Sequence, residues 1–257
     1  MHDAYAKTSA QSVLSRALLS QTHTLNHHAT NNHSLLMTNT VLRADQVSVD
    51  LNGQTLIAPF SAEIRRAERV ALTGMSGSGK TTLLGILSGM YPADSGTVWL
   101  FDHPISPQTQ QAIRQKIAYL PQQIPPLDMQ VDTYLQRLRS FKLNQTTTIP
   151  LRDICQPEAL LSALGLEPDS LQQRMADLSG GQRQRIGLAG CLQLNRPFLF
   201  ADEPTSALDA DSKQRVFTLL ETLGCTLLSV SHDPDMVAFC DQHWHIENQQ
   251  LQVLAYG

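Results

Sequence analysis

Val70-Ala71-Leu72-Thr73-Gly74-Met75-Ser76-Gly77-Ser78-Gly79-Lys80-Thr81-Thr82-Leu83-Leu84-Gly85-Ile86-Leu87 is the stretch that decides the fold. Its first four residues form a short apolar run, as expected of a buried parallel strand. From Thr82 to Leu87 the period is helical. Between the two stands G-x-x-x-x-G-K-T, Gly74 to Thr81, in the strand–loop–helix context that gives this pattern its meaning. Glycines let the backbone curl so that several N–H groups point inward, and the helix N-terminus adds its partial positive charge. Such a loop suits the phosphates of a nucleotide. Lys80 reaches the β- and γ-phosphates, and the Thr81 hydroxyl is placed to ligate Mg2+. At average composition the pattern arises in about one of a hundred chains of this size. A plain Gly-Ser turn leaves Lys80-Thr81 at the helix start unexplained.

Further along, Phe198-Leu199-Phe200-Ala201 reads as a buried strand with Asp202 and Glu203 at its carboxyl end. Buried carboxylates are costly unless they serve a cation or a proton transfer. Asp202 suits Mg2+, directly or through its water; Glu203 suits orienting or deprotonating an attacking water. A solvated acidic turn before Pro204 is the plainer reading, and the Gly-rich loop weighs against it. His232 follows a third short apolar strand, Leu228 to Ser231. In open parallel sheets ligands sit at the carboxyl ends of the strands, so Gly74, Asp202 and His232 are expected to converge.

Around these stretches strands and helices alternate, which implies a mostly parallel sheet covered on both faces. Val41 to Ser61 reads as a hairpin turning at Asn52-Gly53. Further strands are expected at Gly96–Leu100, Ile117–Leu120 and Thr226–Ser231, and helices at Gln182–Gln193 and Asp211–Leu223. A polar, helix-leaning stretch over about residues 124–176 reads as an inserted helical subdomain. The 257 residues, 42% hydrophobic, suffice for a full core. The net charge of −4 gives no sign of a nucleic-acid surface. Cys155, Cys191, Cys225 and Cys240 lack CxxC spacing and read as free thiols. No apolar run approaches the roughly 20 residues that cross a bilayer. Residues 1–40 carry Thr, Asn and His without apolar period and are expected to be a disordered extension, with translation starting at Met37. His23, His27, His28 and His33 bring no Cys or carboxylate with them and read as solvated rather than metal-binding.

What narrows the choice among phosphate-loop proteins is Leu178-Ser179-Gly180-Gly181-Gln182, followed by Arg183. By composition this string is expected in only about a few of ten thousand chains. A Ser N-cap with a Gly pair explains a helix start but not the whole string. With it, the sequence from Val41 to about Gly257 resembles the ATP-binding cassette (ABC) proteins. Their order continues here: Gln122 after Tyr119-Leu120-Pro121 resembles the Q-loop glutamine, Ser206-Ala207-Leu208-Asp209 the D-loop, and His232 the switch histidine.

The resemblance implies an α/β fold: a P-loop NTPase core with a mostly parallel sheet, a small N-terminal antiparallel β part and the helical insert, within an ATPase domain at 41–257. It implies ATP and Mg2+ as ligands and a head-to-tail homodimer. Each ATP is then held by Gly74, Met75, Ser76, Gly77, Ser78, Gly79, Lys80, Thr81, Thr82 and Gln122 of one chain, and by Ser179, Gly180, Gly181 and Gln182 of the other. Thr81, Gln122 and Asp202 would hold the metal, and Glu203, His232 and Lys80 would carry the chemistry. The work implied is transport through a separate membrane permease, at the cytoplasmic face of the inner membrane, peripherally bound. A soluble, non-transport ABC ATPase is the alternative. A non-hydrolysing nucleotide-binding regulator is disfavoured by Glu203 and His232. The sequence departs from the family pattern twice. Leu51 stands where an adenine-stacking aromatic is usual, and Gly190 where an Arg is common.

Overall fold

The computed structural model describes residues 39–51, 53–145 and 153–255. The expected 1–40 extension, the start at Met37 and the turn residue Asn52 lie outside them, apart from Asn39 and Thr40.

The chain opens with two long antiparallel strands, β1 (Thr40–Leu51) and β2 (Gln54–Arg65), paired from Thr40↔Arg65 to Leu51↔Gln54. Strand β3 (Arg69–Gly74) leads into helix α1 (Lys80–Leu87), then β4 (Ser95–Leu100), β5 (His103–Pro104), α2 (Gln110–Arg114) and β6 (Ile117–Leu120). Short helices fill the next stretch: α3 (Val131–Ser140), α4 (Lys142–Gln145) and α5 (Pro157–Ala163), with single 3-10 turns at 153–155, 168–172 and 175–177. Their apolar residues, among them Val131, Leu135, Leu160 and Met175, are buried, which is why so polar a segment holds together. The chain ends α6 (Gly180–Leu192), β7 (Phe198–Asp202), α7 (Ala210–Leu223), β8 (Thr226–Val230), α8 (Pro234–Phe239), β9 (Gln242–Glu247) and β10 (Gln250–Ala255).

Two sheets result, ordered β2-β1-β4-β5 and β10-β9-β3-β8-β7-β6. The first is antiparallel, and β4 belongs to it rather than to the parallel core. In the second every pairing is parallel except β10 with β9. Strands β7 and β8 are buried at every position, as two covered faces demand. The two-residue period splits the core accordingly. Val70, Leu72, Phe198, Phe200, Trp244 and Ile246 pack with α1 and the antiparallel sheet. Ala71, Leu199, Ala201 and Leu227 pack with α5, α6 and α7 on the other face. The order β3-β8-β7 at the centre is what matters for the site, because Leu72 and Asp202 both pair with Val230. The residues just past these three strand ends therefore lie side by side.

Candidate active site

The loop between β3 and α1 turns on its glycines. Gly74 has φ 147°, Gly77 79° and Gly79 93°, where an L side chain is strained. A Cβ at Gly74 would also stand 2.7 Å from the Ile246 carbonyl oxygen. Gly79 begins α1 in the left-handed region with no side chain capping the helix. Its first N–H groups are thus left to a ligand. Ser78 Oγ is buried in the same loop with no hydrogen-bond partner among the described residues. Lys80 is buried, and its Nζ donates to the carbonyl oxygens of Gly74 and Met75, each at 2.8 Å. A buried ammonium held over uncapped N–H groups and an unmatched hydroxyl fits an anionic group. Leu56 lies against this loop, 3.4 Å from a Cβ placed at Gly79, so the β1–β2 hairpin forms one wall of the site.

The carboxylates arrive from the end of β7, two strands over from β3. Thr81 Oγ1 donates to Asp202 Oδ2 at 3.0 Å, which brings two of the three expected metal ligands to one point. Glu203 turns away from the strand direction with φ 52°, a left-handed conformation that costs a non-glycine residue about 1–3 kcal/mol. Its backbone N–H donates to the Val230 carbonyl at 2.9 Å. Its Oε2 accepts from the His232 backbone N–H at 3.5 Å, and its Oε1 lies 3.7 Å from His232 Nε2. The three strand ends thus converge as expected.

Burial dominates the electrostatics. It raises the Asp202 carboxyl above its ordinary value, opposed by the Thr81 hydroxyl and Lys80. It raises Glu203 likewise, opposed by the His232 backbone and its ring. Burial lowers Lys80, opposed by Glu203 and Asp202. Each charge is disfavoured by its setting and partly rescued by its neighbours, the arrangement expected where a site must bind and react.

The other expected residues lie around this centre. Gln122 is exposed in the loop just past β6, on the far side of β7 from β8. Met75 and Ser76 are exposed at the tip of the phosphate loop, while Thr82 sits on α1. Ser179 caps α6 in a capping box: its hydroxyl accepts from the Gln182 N–H at 3.2 Å, and its own N–H donates to Gln182 Oε1 at 2.9 Å. Ser179 and Gly180 are exposed. Gly181 packs so close to the 206–209 turn that a Cβ would stand 2.7 Å from the Ala207 carbonyl oxygen. Among the described residues, no hydrogen bond or ion pair joins residues 179–182 to residues 74–82.

One supporting network escapes sequence reading. Thr205 donates to Asp233 Oδ2 at 2.8 Å, Lys213 Nζ lies 2.8 Å from the same oxygen, and Asp233 N–H donates to Ser231 Oγ at 3.1 Å. Burial pulls Asp233 upward, but Lys213 and Thr205 outweigh it and hold the carboxyl below its ordinary value. The pair ties the turn after Glu203 to the turn bearing His232. Pro204-Thr205 and Asp233 each adjoin a motif residue, the only hint the sequence offers.

This fold and this site define a phosphate-loop nucleotide-binding protein of the α/β class. The family pattern described as ABC transporter matches residues 57–206. The thiamine import ATP-binding protein ThiQ of Haemophilus influenzae is 35% identical over 219 residues, 82% of this chain and 97% of that protein. The lipoprotein-releasing system ATP-binding protein LolD of Psychrobacter arcticus is 34% identical over 202 residues, 72% of this chain and 84% of that one. The dimeric post-hydrolysis structure of the ATP-binding cassette MJ0796, bound to ADP and Pi, superposes with a TM-score of 0.71 at 24% identity, over 84% of this chain and 99% of that one, a likeness of fold. The chain belongs to the ABC transporter family, as an ATP-binding subunit that hydrolyses ATP. Among the described residues no helix is long and apolar enough to cross a membrane.

Proposed function

We propose that this subunit binds Mg-ATP in a site completed by a second copy of itself, and that the resulting closure drives a separate membrane permease from its cytoplasmic face. The observation that carries the reading is the contact between Thr81 and Asp202 at 3.0 Å, which joins the end of the phosphate loop to the carboxylate that closes β7. On this reading residues 74–82 cradle the phosphates, with Lys80 exchanging its loop carbonyls for β- and γ-phosphate oxygens. Thr81 and Asp202 would hold Mg2+, with Gln122 from the adjoining loop. Bound there, the ion would neutralise charge between the phosphates. Glu203 orients and deprotonates the attacking water, and His232, 3.7 Å from it, faces the γ-phosphate. Ser179 and Gly181 of the second copy close the site over the γ-phosphate.

Family membership favours transport over the soluble, non-transport alternative. ThiQ and LolD are named for thiamine and lipoprotein, yet match this chain almost equally, so cargo follows the permease. The direct test is Lys80→Ala. Removing the buried ammonium should abolish ATP binding in a fluorescent-nucleotide titration, with the fold retained by circular dichroism. Wild-type affinity in that variant would overturn the phosphate-cradle assignment.

A further inference from the structure

Thr73 is the last residue before the phosphate loop, and its hydroxyl is gripped from β9. His243 Nε2 lies 2.6 Å and His245 Nδ1 2.7 Å from Thr73 Oγ1. The strand period puts these two rings on one face of β9, while Trp244 and Ile246 fill the core on the other. A hydroxyl has one proton to give and lone pairs to receive, so Thr73 donates to one ring and accepts from the other. The cluster therefore needs one bare ring nitrogen and one N–H. Either ring can supply either one, and burial, together with His245, lowers the proton affinity of His243.

Holding two strands together is a weak reason for this cluster. Strands β3 and β9 are already paired from Val70↔Gln242 to Gly74↔Ile246. The cluster sits instead at the last level before the loop departs. One residue on, Gly74 is pressed against the Ile246 carbonyl, and the carbonyls of Gly74 and Met75 hold Lys80. Thr73 and His245 also line, with Gly74, Met75 and His232, a cavity of about 880 Å3 beside the catalytic residues. A hydroxyl fixed from two sides sets the direction in which the backbone enters the loop.

We infer that His243 and His245, acting through Thr73, are positioning residues that hold the phosphate loop in its nucleotide-binding conformation. The inference rests on reading residues 74–82 as the phosphate cradle. A loop that spends part of its time misplaced weakens apparent affinity by the fraction lost, while the chemical step in the bound complex is spared. Thr73→Val keeps the shape and removes the hydroxyl. Its KM for ATP should rise about three- to tenfold with kcat within about twofold of wild type. Thr73→Ser, which restores the hydroxyl, should recover the KM. His245→Asn and His243→Gln, which each keep a nitrogen or oxygen near the lost ring atom, should suffer less than the corresponding leucine variants. These pairs serve if Thr73→Val fails to fold. A wild-type KM in Thr73→Val, or equal damage in Thr73→Val and Thr73→Ser, would overturn the inference, even with a lowered melting temperature. Lys80→Ala in parallel separates the two readings. If it abolishes binding while Thr73→Val leaves KM unmoved, the cradle stands and the relay falls.

Discussion

Leu51 is 52% exposed at the end of β1, on the hairpin whose Leu56 touches the phosphate loop. That is where the family resemblance expects an aromatic ring against the adenine, and an aliphatic side chain gives up the stacking contribution. Leu51→Tyr should tighten ATP binding by about 1 kcal/mol, the low end of the stacking range, or about fivefold in Kd. Isothermal titration checks it, and an unchanged Kd means that the base lies elsewhere. The buried carboxylates make a prediction of opposite character. Burial sets the folded-state values of Asp202 and Glu203 above their unfolded ones, so folding favours their protonated forms and their charges cost stability near neutrality. Asp202→Asn should therefore melt higher than wild type at pH 7. The gain should shrink as pH falls through the raised values, because the wild-type carboxyl then takes up the proton itself. Thermal unfolding at pH 7 and pH 5 reads the difference. These charged residues were legible in the sequence because each adjoins a strand with a recognisable string. The Thr73–His243–His245 cluster was not, because it joins residues 170 and 172 positions apart and the two rings look like any surface histidines.

At the scale of elements, α6 explains its own glycines. Past its first turn α6 carries two more glycines, Gly187 and Gly190, each of which forgoes up to about 1 kcal/mol relative to alanine, and the sequence shows no reason for them. The structure supplies one for Gly187: a Cβ there would stand 2.5 Å from Ile124 Cγ1, with Leu120 Cδ1 at 3.2 Å behind it. Both neighbours are buried and flank the loop bearing Gln122. Gly187→Ala should destabilise by about 1–2 kcal/mol, overpacking outweighing propensity, and should reduce ATPase activity by shifting the Gln122 loop. At Gly190 the close atom is Leu138 Cδ1, at 2.7 Å, the far end of a half-buried side chain that can rotate. Gly190→Ala should change stability by no more than about 0.5 kcal/mol. Denaturant melts of the two variants side by side test the contrast, and equal losses would refute it. The same pairwise closeness limits what sequence reveals of elements. Strands β3, β7 and β8 read correctly because their centres are buried on both faces and carry short apolar runs, Val70-Ala71-Leu72, Phe198-Leu199-Phe200-Ala201 and Leu227-Leu228. Strand β9 reads Gln-His-Trp-His-Ile-Glu, with only Trp244 and Ile246 buried, and becomes a strand through its pairing with β3 and β10.

At the scale of the whole molecule, the proposed reading has one chain carry both halves of a site that a second copy closes. The phosphate loop, Asp202, Glu203 and His232 converge, whereas Ser179 and Gly180 stand exposed on α6 with their cap already satisfied. Gly181 packs on the Ala207 carbonyl, so α6 and the 206–209 turn present a single surface. A second copy turned head to tail would bring that surface over the first copy's phosphate loop, where the exposed Met75 and Ser76 lie. Glu203→Gln isolates this step. It keeps the size of the side chain, removes the proton acceptor, and takes one negative charge from beside the γ-phosphate. Hydrolysis should fall by about 10^2-fold or more, the loss expected of a positioned general base. ATP binding should persist or tighten, because a like charge is gone. With the chemical step blocked, closed dimers should accumulate when Mg-ATP is added. Size-exclusion chromatography with and without nucleotide reads the change directly. If the variant binds ATP and elutes as a monomer, the two-copy site is wrong for the isolated subunit. If it turns over ATP at the wild-type rate, another group handles the water, and the strained backbone at Glu203 serves something else.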